Sequence, residues 1–336
     1  MKKIIIFVNK IYKNKKRIDK FLFKFFKKKN ISRIKIQKNI KKGNVLLNNN
    51  KIKKKQYIKI NDIITFFYKK NFFKKKKKKI IKNKNIKIKI HYEDDDLLII
   101  NKQPGLVVHP GHGNYNNTLL NWLKYYLNKN IKLNYNNYRL GLLHRLDKYT
   151  SGLLIIAKNI KSFNNLKKQF LKKKIIKKYI ALVWGKPKKY KNKIKNYIGR
   201  NLKNRIKMNV FDNKKYGKLS ITNYKILNYF NYFSLIKCKI ITGRTHQIRV
   251  HLKHIGNPIF NDIIYGGNKI IKNIIFNNSF LIKKKINKCF KILSRQALHA
   301  YYLKFIHPKK KKIIKFSTNL PNDIKKLLIY IKKEKL

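Results

Sequence analysis

Residues 144–158 read His-Arg-Leu-Asp-Lys-Tyr-Thr-Ser-Gly-Leu-Leu-Ile-Ile-Ala-Lys, a polar loop followed by a continuous apolar run. Such a run is typical of a buried strand, which would present the preceding loop at its end. Asp147 in this loop is the only acidic residue between Asp96 and Asp212, in a chain with 88 lysines and arginines. We therefore predict that this loop carries a reactive carboxylate and that the rest of the chain delivers a substrate to it.

The formal charge of +77 at pH 7 favours a polyanionic partner, most simply RNA or DNA. The excess has a second explanation, because lysine, asparagine and isoleucine all have AT-rich codons and accumulate through genomic drift. Both explanations stay open at this point. Nine of the basic residues are arginines, and their positions carry more information because most of them fall inside the motifs described below.

The cysteine content and the hydropathy restrict the compartment. Cys238 and Cys289 are too few for a disulfide framework or for a zinc site made of four cysteines. The apolar start at 4–8 is too short for the apolar part of a secretory signal, and the sequence has no run of about 18 apolar residues. We therefore expect a cytoplasmic protein without a membrane partner, and we separately expect it to be a monomer.

Residues 15–68 form the first predicted domain. Apolar residues recur at helical spacing, Ser32 is placed to cap a second helix, and strand patterns follow. This arrangement resembles the alpha-L RNA-binding domain of the ribosomal protein S-four type. The matching positions are Arg17, Ile18, Asp19, Lys20, Ser32, Arg33, Gly43, Asn44, Val45 and Lys51. The resemblance implies that Arg17, Lys20 and Arg33 bind RNA, and a generic basic helical domain is the alternative.

Residues 69–89 are rich in lysine and asparagine, and we predict an extended linker because like charges repel. Residues 90–320 form the second predicted domain. Its strand patterns outnumber its helices, which favours an α+β fold with a mixed, mostly antiparallel sheet. The acidic cluster at 93–96 fits a solvated turn better than a metal site, because no histidine stands at ligand spacing. Residues 245–254 predict a helix with an apolar side toward the core and Arg249 on another face.

Three motifs, in their order and spacing, resemble the RluA family of RNA pseudouridine synthases. They are His-Arg-Leu-Asp-x-x-Thr-Ser-Gly at 144–152, Gly-Arg-Thr-His-Gln-Ile-Arg-Val-His-Leu at 243–252 and Arg-Gln-Ala-Leu-His-Ala at 295–300. The pairing with an alpha-L domain is RluD-like. The resemblance implies a mixed, mostly antiparallel sheet with a central RNA-binding cleft. It also implies isomerisation of uridine to pseudouridine in large-subunit ribosomal RNA, without a cofactor or a metal.

The resemblance assigns Asp147 as the catalytic carboxylate, acting as a nucleophile or as a base at the sugar. Arg249 matches the family's basic partner, whose bidentate guanidinium would hold one orientation of the carboxylate, and a surface phosphate contact is the alternative. Tyr179 matches the active-site tyrosine that stacks on uracil, although its pattern fits a core aromatic equally. Leu298 would pack at the base, and Arg145 would contact the flipped nucleotide or shape the turn.

Four positions depart from the motifs usual in the family. Tyr149 replaces an acidic residue, Gln103 a proline, Asn257 a histidine and Asn261 a glycine. None of them touches the proposed carboxylate. We expect these departures to affect substrate contacts and stability more than the class of reaction.

Other functions stay open on the sequence alone. Drift motivates a non-catalytic RNA-binding or ribosome-assembly factor that has kept the fold, and the intact catalytic motifs argue against it. A synthase of the same family that modifies transfer RNA is the other alternative. We interpret His246, His251 and His254 as helix residues and not as metal ligands, because no acid or cysteine completes a ligand set.

Overall fold

A computed structural model gives the conformation of the chain. It describes all residues except 10–15, 27, 28, 30, 54, 70, 71, 74–80, 112, 131–139, 203, 205 and 272–279. The lysine run at 74–79, which is part of the predicted linker, lies outside the described residues, as do Arg139 and Arg205. The chain divides into two compact units, Met1–Lys79 and Ile80–Leu336.

The first unit combines two helices with short strands. Its elements are β1 (Lys2–Phe7), β2 (Lys16–Arg17), α1 (Ile18–Phe25), α2 (Arg33–Lys41), β3 (Val45–Leu47), β4 (Asn50–Lys51), β5 (Tyr57–Ile58) and β6 (Ile63–Tyr68). Strands β1, β6, β3 and β4 are neighbours in that order, and β2 pairs with β5. Ser32 caps α2 as predicted, since its side chain accepts the N–H of Lys35. The first domain is predicted to begin at residue 15, but β1 belongs to the same unit because it pairs with β6 along its whole length.

The second unit is built on one ten-stranded sheet. Its strands are β7 (Lys89–Glu93), β8 (Leu97–Lys102), β9 (Ser151–Ala157), β10 (Ile176–Trp184), β11 (Lys191–Arg200), β12 (Met208–Phe211), β13 (Lys218–Phe230), β14 (Phe233–Ile240), β15 (Leu298–Ile306) and β16 (Ile313–Ser317). Its helices are α3 (Leu119–Asn130), α4 (Ile160–Leu171), α5 (Gln247–His254), α6 (Phe280–Ile292) and α7 (Asn322–Lys333).

The strand order is β12-β11-β13-β14-β10-β15-β9-β8-β7, with β16 on the free part of β15. The β9–β15 contact is parallel, and the other pairs are antiparallel. The predicted α+β fold with a mixed, mostly antiparallel sheet is confirmed.

The parallel contact between β9 and β15 fixes the loop that precedes β9. Ser151 lies opposite His299, with Ser151 Oγ 2.9 Å from His299 Nδ1, and Gly152 lies opposite Ala300. Gly152 has a φ of +119°, and a Cβ at this position would lie 2.2 Å from the Ala300 carbonyl oxygen. Only glycine allows the chain to pass this close. The loop that carries Asp147 is therefore anchored to the sheet at its C-terminal end.

Helix α5 begins at Gln247, two residues after the predicted start, because His246 adopts a left-handed conformation with a φ of +55°. The helix is buried on nearly all sides over its first six residues. Arg249 is only 4% exposed, so the prediction that it lies on a face away from the core is wrong. A buried guanidinium requires carboxylate partners, and it finds two of them.

Helix α7 extends the second unit beyond the predicted boundary at 320. Ile324, Leu327 and Ile331 are buried in the same apolar core as β10, β14 and α5. Arg295, at the start of the third sequence motif, donates to both carboxylate oxygens of Asp323 and ties the start of α7 to that motif. None of the helices in the described parts of the chain is long and apolar enough to cross a membrane.

Candidate active site

A cavity of about 500 Å³ is bordered by the loop before β9, by β10, by the end of β14 and by α5. Its lining includes five residues that were predicted from the sequence: Arg145, Asp147, Tyr179, Arg249 and Leu298. These residues come from four separate segments of the chain, and the sheet brings them together. The volume lies within the range of small-molecule sites, about 300–1,000 Å³, and is large enough for a nucleoside.

Arg249 links two carboxylates. Its Nη1 donates to Asp147 Oδ2 at 3.0 Å. Its Nε and Nη2 donate to Asp262 Oδ2 and Oδ1 at 2.7 and 2.8 Å. The bidentate contact is therefore made to Asp262, and the prediction that Asp147 receives it is wrong. Asp147 accepts from the remaining nitrogen, Nη1, and this contact still fixes one of its two oxygens.

Asp262 orients the arginine from the protein interior. Its side chain is fully buried, and its Oδ1 also accepts the backbone N–H groups of Ile264 and Tyr265. Burial alone would lower the pKa of Arg249, but the hydrogen bonds and charge of Asp262, followed by those of Asp147, raise it above the ordinary value. The guanidinium is thus a permanent cation behind Asp147.

The second oxygen of Asp147 lies on the side of His246. His246 Nε2 is 3.9 Å from Asp147 Oδ1, and His246 Nδ1 is 2.8 Å from the Tyr265 hydroxyl. The same hydroxyl accepts the backbone N–H of Met208, so its own hydrogen is available to His246 Nδ1. When the hydroxyl donates to Nδ1, the neutral imidazole carries its own hydrogen on Nε2, facing Asp147. Burial lowers the pKa of His246 and favours that neutral form.

Tyr179 and Leu298 belong to the apolar part of the lining. Tyr179 is 6% exposed and Leu298 3% exposed, on the neighbouring strands β10 and β15. Burial, followed by the negative charge of Asp147, raises the pKa of Tyr179 well above its usual range. The hydroxyl therefore keeps its proton, and the ring offers an aromatic face to a base. Arg145 lies two residues before Asp147 in the loop that precedes β9, and its side chain is exposed.

Lys102 is buried beneath the loop that carries Asp147 and holds it by hydrogen bonds. It was not predicted as a site residue from the sequence. Its side chain is fully buried, and its Nζ donates to the carbonyl oxygens of Gln103, Leu106 and Lys148 at 2.8, 3.0 and 3.1 Å. Lys148 directly follows Asp147. Burial lowers the pKa of Lys102 to about 7, and the nearby charge of Asp147 acts in the opposite direction. Lys102 thus joins the loop after β8 to the loop of the carboxylate.

The acidic cluster at 93–96 has a histidine that the sequence spacing could not reveal. His307 Nε2 lies 2.8 Å from Asp94 Oδ2, and with Asp96 these groups are close enough together to hold a metal ion. Their oxygens already have protein donors, however. The Tyr92 hydroxyl also donates to Asp94, and Ser162 donates to Asp96. The cluster is thus hydrogen-bonded within the protein and Asp96 is buried, which contradicts the predicted solvated turn, and His307 supplies the histidine whose absence had argued against a metal site.

The predicted RNA-binding residues of the first unit lie on or next to its two helices, with Arg17 at the end of β2 directly before α1. Arg17 and Arg33 both bind the buried Asp19, with Nη2–Oδ2 distances of 3.0 and 2.7 Å. Gln37 donates to the same carboxylate. These contacts join α1 to α2, so both arginines have a structural role. Lys20 is exposed on α1, and RNA binding by the three basic residues stays a prediction.

Two departures from the family motifs are accommodated locally. Asn261 stands in place of a glycine and has a φ of +55°, a conformation that asparagine tolerates better than most residues. Its side chain donates to the carbonyl oxygen of Leu293. Asn257 donates to the carbonyl oxygen of Trp184 at 2.9 Å. Both replacements therefore keep the segment before Asp262 in place.

Asp262 is the functional residue that sequence reasoning missed. The signal that singled out Asp147 applies to it as well, because only three acidic residues, Asp147, Asp212 and Asp262, stand between Asp96 and Asp323. Two of the three meet at Arg249. In a chain with so few acids, each of them is a candidate partner for a buried arginine.

Comparison with known proteins gives matches to RNA pseudouridine synthases. The family model described as RNA pseudouridylate synthase matches residues 96–254. The chain is 45% identical over 251 residues to the ribosomal large subunit pseudouridine synthase D of Buchnera aphidicola subsp. Schizaphis graminum, covering 74% of this chain and 75% of that protein. It is 39% identical over 314 residues to an uncharacterized RNA pseudouridine synthase of Chlorobaculum parvum, covering 93% of both chains.

Solved structures show a similar fold. The human RNA pseudouridylate synthase domain containing 1 has 25% identity and a TM-score of 0.51, covering 70% of this chain and 84% of that chain. The human RNA pseudouridylate synthase domain containing 4 has 23% identity and a TM-score of 0.57, covering 73% and 93%. The second similarity concerns the fold alone.

Proposed function

Because the chain belongs to the RluA family of RNA pseudouridine synthases and is RluD-like, we propose that Asp147 is the carboxylate with which this isomerase acts on uridine. The observation that supports this role most strongly is the ion pair between Asp147 and the buried Arg249 in the wall of the cavity. A carboxylate held in this way is oriented and charged but still 17% exposed, and therefore within reach of a bound nucleoside.

The reaction needs few groups. The bond between ribose carbon and uracil nitrogen breaks, the uracil turns, and a bond forms between the same ribose carbon and carbon five of the ring. Carbon five then gives up its proton, and the ring nitrogen gains one. No electrons are transferred to or from an outside group, so the protein has to position a charge, hold the free uracil and limit access of water.

The geometry supports a division of these tasks. Arg249 occupies Asp147 Oδ2, which leaves Oδ1 to act at the sugar as nucleophile or as base. Tyr179 keeps its proton and stacks on the uracil, where its hydroxyl can donate a hydrogen bond, with Leu298 beside it. Arg145 holds the flipped nucleotide at the exposed side of the loop.

We further propose large-subunit ribosomal RNA as the target. Relatives at 37–45% identity carry the name ribosomal large subunit pseudouridine synthase D, and the first unit offers basic helices that suit an RNA surface. Two unpaired, buried cysteines, Cys238 and Cys289, fit a reducing compartment, and we propose that the enzyme acts in the cytoplasm as a monomer.

The test uses RNA tritiated at carbon five of uridine, because that carbon loses its hydrogen in the reaction. We expect wild type to release label from large-subunit ribosomal RNA and Asp147→Asn to release none. If the variant releases label as fast as wild type, the role of Asp147 is refuted. If wild type binds RNA but releases no label from any RNA, a non-catalytic assembly factor is the better account.

Mapping pseudouridines in a strain that lacks the gene separates the possible targets. Loss of modified positions from large-subunit ribosomal RNA is the expected result. Loss from transfer RNA, with ribosomal RNA unchanged, would instead support a transfer RNA synthase.

A further inference from the structure

One exposed face of the large sheet carries lysines on six strands. They are Lys178 on β10, Lys191, Lys193 and Lys195 on β11, Lys225 on β13, Lys237 and Lys239 on β14, Lys304 on β15, and Lys315 on β16. We call these nine residues the lysine face. Their neighbours within each strand are buried or half-buried, so the lysine side chains leave the sheet on one side, where five of them are exposed and Lys178, Lys237, Lys239 and Lys304 are half-buried.

The strand register places lysines directly opposite one another. Lys225 lies between Lys191 on one side and Lys237 on the other. Lys178 lies opposite Lys239. The pair Lys304 and Lys315 continues the pattern at the edge of β15. Opposed residues on one sheet face are about 5 Å apart at their Cβ atoms, so these charges repel at short range.

No acidic residue lies within these six strands to balance the charge. In the parts of the chain that the structure describes, none of the nine lysines forms an ion pair with a carboxylate. Lys178 shows the consequence. Burial, followed by the charges of Lys237, Lys239 and Lys304, lowers its pKa below the ordinary value.

The face points away from the cavity. Lys177, the neighbour of Lys178 on β10, is buried in the lining of the cavity, and its partners in the sheet are Ile240 and Leu303. Tyr302 lies opposite Lys178 on the outer side, and the Lys178 ammonium sits 4.6 Å from the centre of its ring. The outer surface thus combines concentrated positive charge with an aromatic ring, the composition that suits nucleic acid.

Drift toward AT-rich codons explains a high lysine content but not this arrangement. Drift also supplies asparagine and isoleucine. Opposite a lysine, either of these uncharged residues destabilises the sheet less than a second lysine does. Repulsion across the strands destabilises the free protein, whereas a bound polyanion removes it. The register therefore favours a surface that is completed by a partner with closely spaced negative charges.

We propose that the lysine face binds the phosphate backbone of a segment of the RNA substrate other than the segment that enters the cavity. This inference rests on the RNA-modifying function of the family. Lysine ammonium groups act as point charges on phosphates, so the contact adds affinity without reading the sequence. A large folded RNA can supply a second helix to the outer side of the sheet while its target uridine occupies the cavity.

The test compares two variants with the same change of charge. The face variant carries Lys178→Thr, Lys237→Thr, Lys239→Thr and Lys304→Thr, because threonine suits a strand. The control variant carries Lys283→Gln, Lys284→Gln, Lys325→Gln and Lys326→Gln on the exposed surfaces of α6 and α7. Dissociation constants for a ribosomal RNA fragment are measured over a range of salt concentrations, together with the rate of label release at saturating RNA.

We expect the face variant to bind at least about tenfold more weakly, with the slope of log affinity against log salt reduced by about 3. The control variant should change both quantities far less, and both variants should release label at the wild-type rate when saturated. A double variant, Lys178→Thr with Lys239→Thr, should give about half the change in slope and guards against misfolding of the larger variant.

Equal losses in the face and control variants would overturn the proposal, because they would show a response to net charge alone. Unchanged RNA affinity with loss of binding to phosphatidylserine vesicles would also overturn it in favour of a lipid surface. Failure of wild type to release label would refute the proposed function instead, and the binding comparison would still decide whether the lysine face contacts RNA.

Discussion

The two sides of the large sheet hold positive charge in opposite ways. On the side of the cavity, Arg249 is buried and donates to two carboxylates at distances of 2.7–3.0 Å. Both carboxylates thereby have a hydrogen-bond donor and a fixed position. On the lysine face, ammonium groups oppose one another without carboxylate partners among the described residues. The charge of Arg249 is balanced within the protein, whereas the charge of the lysine face is balanced by the proposed RNA ligand.

The difference follows from the chemistry of the two side chains. Arginine presents a planar set of donors that fits a carboxylate, whereas lysine is a compact charge on a flexible chain. Four of the described arginines pair with acids, namely Arg17, Arg33, Arg249 and Arg295. Genomic drift can therefore enrich surface lysine without disturbing the ion pairs that organise the interior.

The largest effect is expected on the side of the cavity. Arg249→Met leaves Asp262 buried without its cation and should lower the free energy of unfolding by about 3–5 kcal/mol. Label release should fall below detection, since Asp147 loses its orienting contact. Adding Asp262→Asn should restore part of the stability measured by urea denaturation but none of the activity. Further loss of stability in the double variant would contradict this pairing.

Lys102 tests whether the loop of Asp147 needs its internal support. Lys102→Met removes the ammonium donor from the carbonyl oxygens of Gln103, Leu106 and Lys148, of which the last keeps the N–H of Gly105, and should cost about 1–3 kcal/mol of stability. The rate of label release at saturating RNA should fall, because the loop loses its link to the segment after β8. Lys148→Met, which alters an exposed side chain, is the control. Equal stability of the two variants in denaturation would show that Lys102 does not hold the loop.

Lys177 is an exception to the comparison, because it is a lysine on the side of the cavity. Burial lowers its pKa to about 8, and the described residues give it no carboxylate partner. The unfolded chain has the higher pKa and binds more protons between pH 8 and the ordinary value near 10.5, so stability rises with pH in that window. Lys177→Met should be more stable than wild type at pH 7, by up to about 3 kcal/mol.

The advantage of Lys177→Met should shrink as pH rises from 8 to 10, since wild-type Lys177 then loses its buried charge. Parallel denaturation curves of the two proteins across this range provide the check. A constant difference in free energy would mean that the ammonium is solvated or paired.

The smallest effect is expected for a substitution on the lysine face. It should raise the free energy of unfolding, whereas Arg249→Met should lower it. Lys225→Thr removes a charge that stands between Lys191 and Lys237 and should raise the free energy of unfolding by about 0.2–1 kcal/mol without RNA. Thermal denaturation at low salt should show the gain, and high salt should reduce it. A loss of stability at low salt would show that repulsion across these strands is not significant.

Much of the site was predictable because its chemistry is local. Asp147 stands out as an acid in a basic chain, and the motifs that contain Arg249 and Tyr179 are long enough to be recognised. Asp262, which receives the bidentate contact from Arg249, was not predictable in the same way. Asp262 is 13 residues from Arg249 in sequence and reaches it only because the intervening chain turns back at Asn257 and Asn261.

The features that depend on strand order were not visible in the sequence. The alternation of lysines is clear within β11, but Lys178 meets Lys239 only because β10 lies beside β14. The same limit applies to His307, which reaches Asp94 from the far end of the domain. Residues 1–13 lacked a clear alternating pattern, and β1 is defined by its pairing with β6.

The division between the two faces is tested most directly by single-turnover label release measured against enzyme concentration, which gives a limiting rate and a half-saturating concentration for each protein. Asp147→Asn should lose the limiting rate, while its affinity for RNA in a direct binding measurement stays near that of wild type. The face variant should keep the limiting rate and require at least about tenfold more enzyme. If Asp147→Asn keeps the wild-type limiting rate, or if the face variant loses rate without losing affinity, the division of roles is contradicted.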